Sequence, residues 1–204
     1  MGSGCIGTVL GVGETLIVRR GRETDAETIL GLWDAAIAWL VARGQTEQWG
    51  SEPASGRASC REAVQEWASG QGLRIAELDA EPVGASVVVE SCPSYVPTTE
   101  LRESYLLFLV ADRAHAGHGV GVTLVEGAAR EARVRGSQLL RVDCWAGAPD
   151  LVRWYERSGF VKTDTFTAND GWHGQVFEMM GHVGRSGVTS VWWSERFRPP
   201  WRSS

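Results

Sequence analysis

Three glycines at alternate positions, Gly117-x-Gly119-x-Gly121, stand between an unbroken apolar run, Tyr105-Leu-Leu-Phe-Leu-Val110, and a segment of helical period. Glycines there let the backbone approach a ligand closely, and the unpaired amides that open a helix attract an anion. The same pattern also serves as a plain strand-to-helix turn. A phosphate-binding P-loop is excluded, because Gly-Lys-Ser/Thr is absent and the only lysine is Lys162. A dinucleotide fingerprint needs an acid closing the next strand, and Asp143 lies 22 residues beyond Gly121. Spacing alone allows that reading; the hairpin-rich first half and the single βαβ unit argue against it. Cys5, Cys60, Cys92 and Cys144 include no Cys-x-x-Cys, so no metal site is expected, and Cys144 reads as a small core residue.

The elements that must position this loop follow from period. Thr15–Arg19 is a short apolar strand. Ile29, Leu32, Trp33, Ala36, Ile37, Leu40 and Val41 recur at helical steps behind the cap Thr24-Asp25, which places Trp33 and Trp39 in the core. Gln45–Ser59 is polar and reads as a loop; Ala63, Val64 and Trp67 mark a shorter helix. Leu73–Leu78 and Val83–Val89 flank the turn Asp79-Ala-Glu-Pro82 as a hairpin. Tyr105–Val110 is a central strand buried on both faces. The helix after Gly121, a strand Leu139–Asp143, a short helix Pro149–Arg157 and strands Phe160–Phe166 and Gln175–Met180 complete an α/β domain with a mixed sheet.

The chain has 204 residues, a net charge of −5 and ten tryptophans. That length buries a core without staples. The acidic balance speaks against nucleic-acid binding, and no apolar run approaches a membrane span. Neither a secretory signal nor a myristoylation pattern opens the chain, so a cytoplasmic protein is expected. Residues 1–14 read as a flexible N-terminal segment, 15–181 as the folded domain, and 182–204 as an Arg/Trp-rich tail.

The stretch Leu109-Val-Ala-Asp-Arg-Ala-His-Ala-Gly-His-Gly-Val-Gly-Val-Thr-Leu124 resembles the acyl-CoA pyrophosphate loop of the GNAT superfamily of N-acetyltransferases, and Trp154-Tyr-Glu-Arg-Ser-Gly-Phe160 resembles its Leu-Tyr-Glu-Lys-x-Gly-Phe signature. The resemblance implies the GNAT fold: a mixed, mostly antiparallel sheet flanked by helices, with two splayed parallel strands that admit a pantetheine arm. It also implies acetyl-CoA or another acyl-CoA as co-substrate and no metal. Two positions depart from the pattern. Ala116 stands where the family carries Arg or Gln, and Ala148 where many members carry Asn. The phosphates are then left to the amides of Gly117, His118, Gly119, Val120 and Gly121, with Arg113 or His118 as sources of side-chain charge.

By the same resemblance a backbone amide of the central strand, at Leu109, meets the thioester oxygen. Ala111 pairs with the pantetheine amides beside Val110, and Tyr155 is the general acid. A phenol is protonated at neutral pH and can donate to a leaving thiolate. Glu103 is the first candidate for the base and Asp143 the second, each with the alternative of a solvated strand-end charge; a water chain would also serve. For the acceptor, Trp49 in the loop Gln45–Gly50 either folds over it or anchors the loop to the core. Trp145 lies on the cofactor side by analogy, and His173 sits with Trp172 in the last hairpin turn.

The leading expectation is therefore acyl transfer to a primary amine of a small molecule. Ala116 and the basic tail suggest an acyl carrier protein as an alternative donor, and a non-catalytic acyl-CoA-binding module is the reading from another class. A homodimer is common in the family, and the tail tryptophans Trp192, Trp193 and Trp201 suit an interface as well as solvent.

Overall fold

The two longest apolar strands, β4 (Glu81–Val89) and β5 (Glu103–Ala111), lie side by side at the centre and are covered on both faces. Around them the computed structural model, which describes residues 6–10, 14–168 and 171–181, builds an eight-stranded sheet. The other elements are β1 (Ile6–Leu10), β2 (Glu14–Arg20), α1 (Ala26–Val41), α2 (Ala58–Ser69), β3 (Leu73–Leu78), α3 (Val120–Val134), β6 (Leu139–Trp145), α4 (Pro149–Arg157), β7 (Val161–Thr167) and β8 (His173–Met180). Sheet order is β1-β2-β3-β4-β5-β6-β8-β7, and every neighbouring pair is antiparallel except β5–β6. This is the mixed, helix-flanked sheet that the sequence predicts.

One expectation is corrected at the start of the chain. Residues 1–14 read as flexible, yet Ile6–Leu10 pairs with β2, where it occupies ladder groups that β2 would otherwise present at the sheet edge. The tail 182–204, with its three tryptophans, lies outside the described residues.

Side chains sort cleanly between the two faces. On one, α1 and α2 bury Ile29, Trp33, Ile37 and Val64 against Ile75, Val87, Phe108 and Val110. On the other, α3 and α4 bury Val125, Ala128 and Tyr155 against Leu106, Leu140, Val142, Cys144 and Phe177. A register shift opposite Val87/Val88 inserts Leu107 into β5 as an extra residue. Tyr105 and Phe108 thereby share the α1/α2 face despite their odd spacing.

The decisive feature is where β5 and β6 stop pairing. Glu103, Ser104 and Tyr105 pair with Leu139, Leu140 and Arg141, and the two parallel strands pair no further. Beyond Tyr105 they run on to Ala111 and Trp145 unpaired with each other. The sheet splits there into a V.

Candidate active site

The V exposes one edge of β5, and strand alternation says which groups line it. Asp112 N–H donates to Val83 C=O at 2.8 Å, and Val110 stands opposite Ala85, so even-numbered residues here spend their backbone groups on β4. Leu109 and Ala111 consequently turn their N–H and C=O toward the gap. Val110, expected with them, is corrected: its backbone faces β4 and its side chain is buried in the α1/α2 core.

At the mouth of the V the glycine loop leads into α3. Gly117 and Gly119 have positive φ, 93° and 75°, and Gly119 is the N-cap with no side-chain bond to the helix. The first helical bond runs from Thr123 N–H to Gly119 C=O at 2.9 Å, so the amides of Val120, Gly121 and Val122 are left for an external acceptor. At Gly121 a Cβ would lie 3.0 Å from the Trp154 ring, a tight contact that glycine avoids. The amides of Ala116 and His118 are corrected, since they donate within the turn to Arg113 C=O and His115 C=O. Arg113 points elsewhere too. Its guanidinium lies 4.2 Å from the Trp39 ring centroid, and Arg43 covers the same ring at 3.8 Å. Trp39, expected in the core, is thus a half-buried ring in contact with two cations.

The two carboxylate candidates have different surroundings. Glu103 sits at the closed end of the V. Its Oε2 lies 3.0 Å from Nη1 of Arg141, a side chain only 1% exposed, and its Oε1 accepts from Cys92 N–H at 2.7 Å. Arg141 also donates to Pro97 C=O, and its Nε lies 3.1 Å from Glu178 without hydrogen-bond alignment. Glu103 is therefore corrected from base to structural anchor. Asp143 lies at the opening, facing the α1/α2 side, where Oδ1 accepts from the buried Tyr105 hydroxyl. Burial raises its pKa, and the Tyr105 bond pulls the other way. No ion pair reaches it among the described residues.

Tyr155 occupies the other face. It is 5% exposed and packed against Trp154, Phe160 and Phe177. Burial, with Cys144 and Asp143 adding to it, raises its pKa and keeps the phenol protonated. Burial likewise pushes the Cys144 thiol up to about 12.

The α1–α2 loop reaches the far side of the gap. Gln48 Oε1 accepts from Trp145 N–H at 2.8 Å, and Trp172 Nε1–H donates to Glu47 C=O at 2.6 Å. Trp49 packs against Trp33 and Phe108, so it anchors this loop. Trp145 alternates with Asp143 and shares its face. His173 is corrected: it is exposed, bonded to Thr167 Oγ1 at 2.9 Å, and its register opposite Ala146 turns it to the α3/α4 face. Sequence reasoning missed Tyr105 and Gln48. The only signal for Tyr105 was a polar tip within an otherwise aliphatic run. Among the described residues no cluster could hold a metal ion, and no helix is long and apolar enough to cross a membrane.

The profile of the Acetyltransferase (GNAT) family matches residues 41–160. Solved structures share the fold. A GNAT-family acetyltransferase from Listeria monocytogenes is 20% identical with a TM-score of 0.66, covering 86% of this chain and 99% of its own. The GNAT domain of S. lividans PAT is 18% identical at TM-score 0.62, covering 86% and 97%. A ribosomal-protein-alanine N-acetyltransferase from Brucella melitensis is 19% identical at TM-score 0.57, covering 80% and 98%. No curated protein matches the chain by sequence.

Proposed function

Because the chain belongs to the GNAT family of acetyltransferases, we propose that it moves an acetyl or other acyl group from acyl-CoA to a primary amine of a small molecule. The observation that carries this reading is the free edge of β5, Leu109 and Ala111, opening beside the uncapped start of α3. A pantetheine arm carries amides that add to such an edge like a short strand, and a diphosphate suits the amides of Gly119, Val120 and Gly121.

The residues then divide the chemistry. Leu109 N–H stabilises the oxygen that gains charge when the amine attacks the thioester carbon. Asp143, and not Glu103, takes the proton of the incoming ammonium, helped by burial that raises its pKa. As the C–N bond forms and the C–S bond breaks, Tyr155 gives its proton to the departing sulfur, and the second proton shed by the new amide nitrogen restores the phenol through solvent. Asp143 and Tyr155 lie on opposite faces of the gap, which keeps the two proton transfers apart.

Thiol release from acetyl-CoA with an amine panel tests this. Tyr155→Phe is expected to lower kcat about 10- to 100-fold with CoA affinity retained. An unchanged kcat removes the acid role; no release from any amine by the wild type favours an acyl-CoA-binding module. Ala116 supports a second donor. With no side chain for the phosphates there, an acyl carrier protein presents the same arm, and a higher kcat/KM with that donor than with acetyl-CoA would select it.

A further inference from the structure

Asp143 stands one step along β6 from a row of aromatic side chains. On the α1/α2 face, register sets Phe166 of β7, Gly174 of β8 and Trp145 of β6 in one row across the sheet, with Val176 and Asp143 next along β8 and β6. Gly174 lacks a side chain where rings lie over it: a Cβ there would be 2.3 Å from Phe166 and 2.7 Å from Trp172. Those two rings lie 5.8 Å apart, and Tyr95 continues the row at 5.6 Å from Phe166. Phe166 also packs against the cluster of Tyr105 and Val176, and the Tyr105 hydroxyl closes the inner side by donating to Asp143. Tyr95 is 51% exposed, so the row runs from solvent to the carboxylate.

We propose that this is an acceptor subsite for a primary ammonium borne on an aromatic or other flat apolar body. It rests on the acyltransfer reading only for turnover. Asp143 matches one positive charge, and ring faces attract a cation and stack on a flat body. Among the described residues no ion pair reaches Asp143, so this carboxylate is left to match a single charge. Polyamines and amino acids, with additional charges, are therefore the poorer fit.

Calorimetric titration of phenethylamine, n-propylamine and spermidine into the full chain tests it, alongside thiol release with each. Phenethylamine is expected to bind about tenfold more tightly than propylamine. Asp143→Asn should abolish binding of both. Phe166→Leu and Trp172→Leu should each shrink the preference below about threefold, and Tyr95→Ala, at a half-exposed position, gives the same readout if either fails to fold. Equal affinities, a preference that survives the ring substitutions, or tighter binding of spermidine overturns the subsite. Ring-dependent binding without thiol release leaves the subsite standing and defeats acyl transfer; release with no ring-dependent preference does the reverse.

Discussion

The two ends of the β5–β6 pair make the most useful comparison in this molecule. At the closed end, three residue pairs hold the strands together, and Glu103 meets a backbone amide and the buried Arg141, which it shares with Glu178. At the open end the pairing has stopped, and Asp143 meets the Tyr105 hydroxyl with no ion-pair partner among the described residues. Both are acids on neighbouring strands of one sheet. Their chemistry is set by what faces them: one carboxylate is held in an ion pair with a buried arginine, and the other has its pKa raised by burial.

Swapping each acid for its amide is the sharpest way to break that comparison. Asp143→Asn is expected to lower kcat/KM by about 100- to 1,000-fold while the melting temperature does not fall. Glu103→Gln is expected to do the opposite. It leaves Arg141 buried beside Glu178 alone and costs about 3 kcal/mol of stability, with kcat of the folded enzyme unchanged. Steady-state kinetics and urea denaturation on both variants decide; a Glu103→Gln enzyme that folds normally and loses turnover would reverse the assignment.

The sequence carried the elements of this site better than their meetings. Gly117–Gly121 and the signature around Tyr155 are local patterns, and the structure sets them at the start of α3 and on α4 as their periods indicate. The pairing of Glu103 with Arg141, 38 positions away, depends on β6 lying parallel beside β5, which no local pattern encodes. His173 failed for a related reason. The face of a strand residue follows from its register against a distant partner, and a shift of one reverses it. Trp39 has core-like helical spacing, but it falls on the stretch of α1 where Arg113 arrives from another element.

The two ends also differ in how protons couple to folding. Asp143 has a folded pKa above the ordinary 3.8, so between those values the native state holds a proton the unfolded chain has released. Its contribution to stability therefore falls as pH rises through that window. Asp25, held low chiefly by its bonds to Arg19, has the opposite sign: its contribution is present above 3.8 and is lost as pH falls through the folded value. Asp143→Asn removes the first slope and keeps the second. Urea midpoints from pH 4 to 7 should show the variant gaining relative to wild type as pH rises, and parallel curves would count against a raised Asp143.

The smallest effect expected lies at the mouth of the open end. Arg113 opens the short 3-10 turn Arg113–His115, whose carbonyls hold the amides of Ala116 and His118. Its guanidinium is in turn held on the Trp39 ring that Arg43 also contacts. Trp39 is thereby a positioning residue for the glycine loop, acting through that turn and touching no reacting atom. A stacked cation of this kind contributes about 0.5–1 kcal/mol at an exposed site, so Trp39→Ala should raise KM for acetyl-CoA by about two- to fivefold and leave kcat alone. With acetyl-pantetheine, which has no diphosphate for the loop to hold, KM should not change. Equal losses with both donors would mean that Trp39 supports the fold generally. Faster amide exchange at residues 116–121 in the variant, with α1 still protected, would locate the effect in the loop.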